Sequence, residues 1–274
     1  MNSDIFGVTE IVSKTNSTIV KISKLENKKY RNIEKLFICN GIKLFLEAIS
    51  FNAKIKYIVL NNKSIFDAEI VEKIKAQQGN GVSILCVSDI VFDKLTDEQA
   101  PQGIITVCSY FEEKHSFFTN AKNKYFENKI MLFESIRDPG NVGTIIRNAA
   151  AFGIERLIFS SDCADIYSTK VIRAAMGAVF KVNIDVVNDF NDVILSLKKG
   201  GKRVLGAALK SNSLVLGKDE LSTQDVVVIG NEGHGLSSEV LSLCDNTLFI
   251  PMCENTESLN AAIATAIIMW EFSK

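Results

Sequence analysis

Three polar segments in the second half of the chain carry residue types suited to chemistry. The first is ESIRDPGNVGTIIR, from Glu134 to Arg147. Its polar turn, with Pro139, Gly140 and Gly143, follows a strand-like run and leads into a helical pattern. Glycines in such a turn free backbone N–H groups for an anion at the helix start. Asn141 and Arg147 lie under two helical turns apart, so they do not share a face. A surface ion pair is the ordinary role for Arg147, but its apolar neighbours Ile145, Ile146 and Ala149 make that role less comfortable. The second segment is IGNEGHGL, from Ile229 to Leu236. Its glycines make either a tight turn or a backbone-exposing loop that holds a ligand by main-chain groups. Glu232 within it is a candidate acid, base or helix cap. The order G-x-x-G-x-G is not the dinucleotide fingerprint, and no G-x-x-x-x-G-K-[ST] phosphate loop occurs in the chain. The third segment is IPMCENTESLNAA, from Ile250 to Ala262. Ser258 stands where a helix cap is expected. Asn260 is a middling-to-poor helix former and is harder to explain that way.

All three segments follow strand-like runs: Ile130 to Phe133, Val226 to Ile229 and Leu248 to Ile250. Ligands of α/β folds sit at strand carboxyl ends, so the three can converge. Further strands are expected over Arg156 to Phe159, Phe180 to Val187 and Val204 to Leu209. Helices are expected over Val142 to Phe152, Lys170 to Met176, Phe190 to Lys199, Ser237 to Leu243 and Glu257 to Phe272. The first half alternates in the same way. Strands are expected over Leu36 to Cys39, Ile55 to Leu60, Val82 to Val87 and Gly103 to Ser109. Helices fall between them at Gly41 to Phe51 and Ser64 to Lys75. Alternation of this kind predicts an α/β layer structure. The polar stretch 111–128 divides it into domains at 1–110 and 129–274.

The composition narrows the function classes. With 47% hydrophobic and 23% charged residues among 274, the chain is not of the disordered type. Its longest apolar stretch, Ala261 to Trp270, is far short of the ~20 residues of a bilayer span. The first residues lack a signal-peptide pattern, so a cytoplasmic protein without a membrane partner is expected. Six cysteines without a C-x-x-C pair read as buried free thiols. Two histidines leave almost no material for a multi-His metal site, so no metal is expected. Net charge is −1, yet ten basic residues between Lys14 and Lys56 face only Glu26, Glu34 and Glu47. Such a segment either attracts a polyanion or solvates a helix face.

The three segments resemble, in order and spacing, the motifs of the SpoU/TrmH family of the SPOUT superfamily. Arg137 to Gly153 is similar to the family's R-D-P-G-N-x-G-x-I-I-R-x-A-x-A-F-G. Ile229 to Ser237 is similar to I-G-N-E-G-x-G-L-S, and Ile250 to Asn260 to I-P-M-x-x-x-x-E-S-L-N. The stretch VIRAAMGAVF from Val171 is also similar to the family. This resemblance implies an RNA ribose 2′-O-methyltransferase that uses S-adenosylmethionine. It implies a C-terminal α/β domain with a deep trefoil knot, and homodimers whose subunits both build the active site. Gly230, Ile250, Met252 and Leu259 are implied to cradle the cofactor. Arg147 is implied to position the ribose hydroxyl or accept its proton, with Asn141, Glu232, Ser258 and Asn260 holding ribose, phosphate and loop geometry. An arginine of ordinary pKa, above ~12, is a poor base, so positioning and charge stabilisation are the firmer part of that role.

The first half resembles, more loosely, a small ribosomal-protein-like substrate-binding domain. Lys28, Lys29, Tyr30, Arg31, Phe37, Gly41 and the stretch from Ala100 to Gly103 carry the likeness. Asn40 stands where the family often has an acidic residue, and Ser168 to Lys170 where it often has Asn-Pro-Lys. Lys24, Lys28, Lys29 and Arg31 are the expected RNA contacts. Ribosomal RNA is the first expected substrate and transfer RNA the second. The competing readings are a non-catalytic RNA-binding protein on this scaffold and a nucleotide-dependent doubly wound enzyme. The joint presence of Arg147, Asn141, Glu232 and Asn260 disfavours the former, and the missing phosphate loop the latter.

Overall fold

A computed structural model describes residues 1–111, 129–210, 212–253 and 258–274. The chain forms two compact units. One holds Met1–Phe111 together with Tyr167–Phe180, and the other holds the remaining described residues.

The first unit is built on four strands, β1 (Leu36–Asn40), β2 (Ile55–Asn61), β3 (Ser83–Val87) and β4 (Ile104–Ser109), in the order β1-β4-β2-β3. β4 runs antiparallel to both its neighbours, while β2 and β3 are parallel. Side chains alternate across the sheet. Ile38, Val59, Ile105 and Val107 pack under Ile19, Ile22 and Leu25, whereas Ile58, Leu60, Cys86 and Ile104 pack with Phe45, Ile70 and Ile74. The helix expected from Ser64 spans Ala68–Gly79 instead. The Asp67 carboxylate accepts from the Ile70 N–H at 2.8 Å and sets the start.

Between Asn16 and β1 lie two short α-helices, Ser17–Ser23 and Lys28–Glu34, capped by the side chains of Asn16 and Asn27. They overturn one expectation. Arg31 is 4% exposed, and its Nη1 donates to the carbonyls of Leu25 and Glu26, each at 2.7 Å. Its guanidinium closes the preceding turn and leaves almost no surface for an RNA. Lys28 and Lys29 are exposed, as is Lys24, which lies over the Tyr30 ring.

The stretch Tyr167–Phe180, expected within the 129–274 domain, packs with the first unit. Tyr167 stacks on Tyr110 with ring centroids 3.7 Å apart and lies 5.1 Å from Phe37. A Cβ at Gly177, whose φ is +90°, would lie 2.6 Å from Cγ of Glu47. The helix here is Thr169–Ala175, ended by Met176 in the left-handed conformation rather than by Gly177. The boundary is expected at 111–128, of which residues 112–128 lie outside the described residues.

The second unit has seven strands: β5 (Ile130–Phe133), β6 (Arg156–Ser160), β7 (Asn183–Val187), β8 (Arg203–Ala207), β9 (Leu214–Val215), β10 (Asp225–Ile229) and β11 (Asn246–Phe249). All neighbours are parallel, in the order β7-β6-β5-β10-β8-β11-β9. β5, β6 and β10 are buried throughout, which is why their stretches 130–133, 157–159 and 226–229 read as unbroken apolar runs. β7 begins at Asn183 rather than Phe180, because Ala178–Phe180 forms a 3₁₀ turn. From β5 the chain builds outward through β6 and β7, then returns to lay β8 on the opposite side. β10 is inserted between β5 and β8, and β11 between β8 and β9. The order reverses between β5 and β10, and a ligand crevice is expected beyond their carboxyl ends.

Candidate active site

The three polar segments leave the carboxyl ends of β5, β10 and β11. After β5, the turn Glu134–Asp138 enters the helix Pro139–Phe152, three residues earlier than Val142. Pro139 sits in the first turn, where it costs no hydrogen bond, and the Asp138 carboxylate accepts from the Asn141 N–H at 2.8 Å. That first-turn donor is therefore satisfied within the protein.

Hydrogen bonds between side chains join the three segments. Asn141 Nδ2 donates to Glu232 Oε1 at 2.7 Å, and Asn260 Nδ2 donates to Asn141 Oδ1 at 3.0 Å. Asn260 Oδ1 in turn accepts from the N–H groups of Ala262 and Ile263, at 2.9 and 3.3 Å, and so caps the helix Ala261–Ser273. Asn260, not Ser258, is the cap; Ser258 is exposed. The helix start expected at Glu257 lies outside the described residues. An asparagine suits position 260 because it supplies an acceptor to the helix and a donor to Asn141 at once.

The loop after β10 is folded on itself. Asn231 and Gly235 exchange backbone hydrogen bonds at 3.0 and 2.9 Å. A Cβ on Gly230 would lie 2.3 Å from the Gly235 carbonyl carbon and 2.4 Å from the Leu236 nitrogen. The loop's own backbone therefore demands glycine here, with no ligand needed to explain it. After β11, Ile250 and Leu259 are half-buried and Met252 is exposed. Among the described residues, no backbone hydrogen bond joins positions 250–253 to another element.

Arg147 is exposed on the helix Pro139–Phe152, and among the described residues it has no hydrogen-bond or ion-pair partner. Six residues from Asn141, it points to another side of that helix. The structure thus unites Asn141, Glu232 and Asn260 and leaves Arg147 outside their network. Glu134, Ser135 and Asn231 do not stand out in the sequence, yet all three bind across this region, while Asp138 caps its own helix. An aspartate directly before a proline that opens a helix is a readable signal for Asp138; the other three depend on contacts distant in sequence.

A parallel sheet with its order reversed between β5 and β10, and three glycine- and asparagine-bearing turns joined at that end, define an α/β domain with a candidate site at the carboxyl ends of its strands. The SpoU rRNA Methylase family matches residues 128–270, and an MRM3-like substrate binding domain matches residues 16–106. The chain belongs to the SpoU rRNA Methylase family. It is 29% identical to the Bacillus subtilis 23S rRNA (guanosine(2553)-2′-O)-methyltransferase RlmP, over 95% of this chain and 98% of that protein. It is 27% identical to the mitochondrial rRNA methyltransferase 3A of Danio rerio, over 91% of this chain and 66% of that one. The AdoMet-bound rRNA methyltransferase of Sinorhizobium meliloti superposes with a TM-score of 0.83 at 28% identity, covering 96% of both chains.

Proposed function

We propose that this chain transfers a methyl group from S-adenosylmethionine to a ribose 2′-hydroxyl of ribosomal RNA. The hydrogen-bonded union of the three motif segments beside the switch point carries this reading. The main-chain groups of 250–253, joined to no other element among the described residues, suit a ligand held by backbone contacts, so Gly230, Ile250, Met252 and Leu259 are assigned to the cofactor. When bound, that cofactor supplies an electrophilic methyl on a sulfonium. Arg147 orients the substrate: its planar, permanently charged fork matches a phosphate and the adjoining ribose oxygen. Holding the hydroxyl in line with the methyl group supplies much of the rate. The test is methyl transfer to ribosomal RNA stripped of its 2′-O-methyl groups, followed by mapping of the modified position. Incorporation into transfer RNA alone would redirect the substrate assignment, and no incorporation into either would sink the reading.

Two further assignments belong to this proposal. The helix Ala261–Ser273 is apolar on both sides. Thr265, Ile268, Met269 and Phe272 are buried, while Ile263 and Trp270 remain 54% and 55% exposed, with Ile267 between them. A helix apolar all round belongs in a core or an interface. We assign this face to a homodimer, and the double variant I263E/W270E should sediment as a monomer where the parent chain sediments as a dimer. The insertion of β10 and β11 between earlier strands supports the trefoil knot. Among the described residues no helix is long and apolar enough to cross a membrane. Six free cysteines suit a reducing compartment, and we place the enzyme in the cytoplasm.

The first unit is assigned to RNA through Lys24, Lys28 and Lys29, without Arg31. Replacing all three lysines with alanine should weaken RNA binding and flatten its salt dependence by up to about three charges' worth of counterion release. S-adenosylmethionine affinity should be unchanged. Binding measured against salt concentration checks this, and an unaltered slope would return these lysines to the role of a solvated helix face.

A further inference from the structure

We infer that Ser135 is a positioning residue that holds the glycine loop 230–235 against the turn after β5. Its φ is +57°, the left-handed region that side chains other than glycine's seldom adopt. A strained backbone of this kind persists only where its surroundings over-determine it, and such positions gather at functional sites.

All three polar groups of Ser135 are engaged. Its N–H donates to Ser160 Oγ at 2.9 Å, and its hydroxyl donates to Asp162 Oδ2 at 2.5 Å. Its carbonyl accepts from Asn231 Nδ2 at 2.8 Å. The first two bonds fasten the turn to the end of β6; the third reaches the loop. Asn231 Oδ1 then accepts from the N–H groups of Gly233 and His234, at 2.9 and 3.3 Å. The strained dihedral aims a carbonyl at Asn231, and Asn231 shapes the loop around that bond. Asp162 is well suited to act as the anchor. Burial pushes its carboxyl up, but hydrogen bonds from Ser135 and Ser160 and the nearby Arg137 outweigh that and hold it below the usual aspartate range. It is therefore ionised, an acceptor only, at any pH where the enzyme is assayed.

This inference rests on the assignment of the loop to S-adenosylmethionine. The test compares S135A with S135G. Alanine keeps the steric penalty of the left-handed region and loses the anchor, so the carbonyl turns away. Glycine also loses the anchor but adopts this conformation freely. S135A should weaken S-adenosylmethionine binding by about tenfold, and S135G should recover most of the loss. A hydroxyl that merely touched the cofactor would make both variants equally weak. Hydrogen exchange at the Gly233 and His234 amides gives a readout independent of the cofactor, and should be faster in S135A than in S135G or the parent chain. If the parent chain binds no S-adenosylmethionine, the loop assignment fails, and exchange alone decides whether Ser135 holds the loop. Equal exchange and equal affinity in S135A and the parent chain would overturn the inference.

Discussion

Arg147→Ala should lower methyl transfer on the order of 100- to 1,000-fold, the loss seen when one well-placed charge-stabilising donor is removed from an active site. S-adenosylmethionine affinity should stay close to that of the parent chain. Arg147 lies on a different side of its helix from Asn141, and Asn141 is the residue through which that helix meets the glycine loop. Folding should be almost unaffected. The side chain is exposed and, among the described residues, without a partner, and such surface substitutions usually fall within about 0.5 kcal/mol. Arg147→Lys should fail nearly as badly, since an ammonium cannot reproduce a planar two-pronged contact. Single-turnover methyl transfer, calorimetric cofactor binding and thermal unfolding of both variants separate these effects. Near-normal turnover in Arg147→Ala would remove the residue from the mechanism. A matching loss of cofactor affinity would move it to the cofactor pocket.

The strands and the site are legible in the sequence to different degrees. β5 and β10 are clear because both faces of each are covered, so the apolar run is continuous. β9, two residues long at the sheet edge, carries no periodic signal. The helix after β5 starts ahead of its apolar pattern, because Pro139 and Gly140 resemble a loop. Only Asp138, accepting from Asn141 across the proline, shows that the proline opens the helix. Arg31 misleads for a different reason. Composition registers its charge but not the two carbonyls that its guanidinium reaches, which depend on the tight turn at Lys24–Glu26. The excursion Tyr167–Phe180 is hidden because an apolar helix face reveals burial and not the partner it is buried against. Asn260 stands out as a poor helix former, and its role follows from that: a residue poor within helices is often good at their ends.

The chain of amides through Asn141 has a defined direction, and reversing it should disable the enzyme. Glu232 at one end can only accept while ionised, so Asn141 must present its Nδ2 there and its Oδ1 to Asn260. The N–H groups of Ala262 and Ile263 at the other end can only donate, so Asn260 must present its Oδ1 to them. Both amide orientations are therefore fixed from the ends. Asn141→Asp keeps the shape but sets a second carboxylate at the place from which Glu232 accepts at 2.7 Å. Two such neighbours cannot both ionise cheaply, so the pair should bind a proton at a pH above the ordinary carboxylate range. With its folded pKa raised, the variant is relatively stable below the unfolded value, near ~4, and loses that stability as pH rises through the folded value. Because Glu232 is exposed and position 141 only half-buried, solvent screens the repulsion and the change in unfolding free energy should be about 1 kcal/mol or less. The effect on catalysis should be larger. Separating the three turns by about 1 Å can cost on the order of 100-fold in rate. Methyl transfer by Asn141→Asp should thus be weak at pH 8 and partly recover as the pH falls, while the parent chain shows no such limb. A variant with full activity at pH 8, or with a loss that is flat across pH, would show that the amide chain does not govern the geometry of the site.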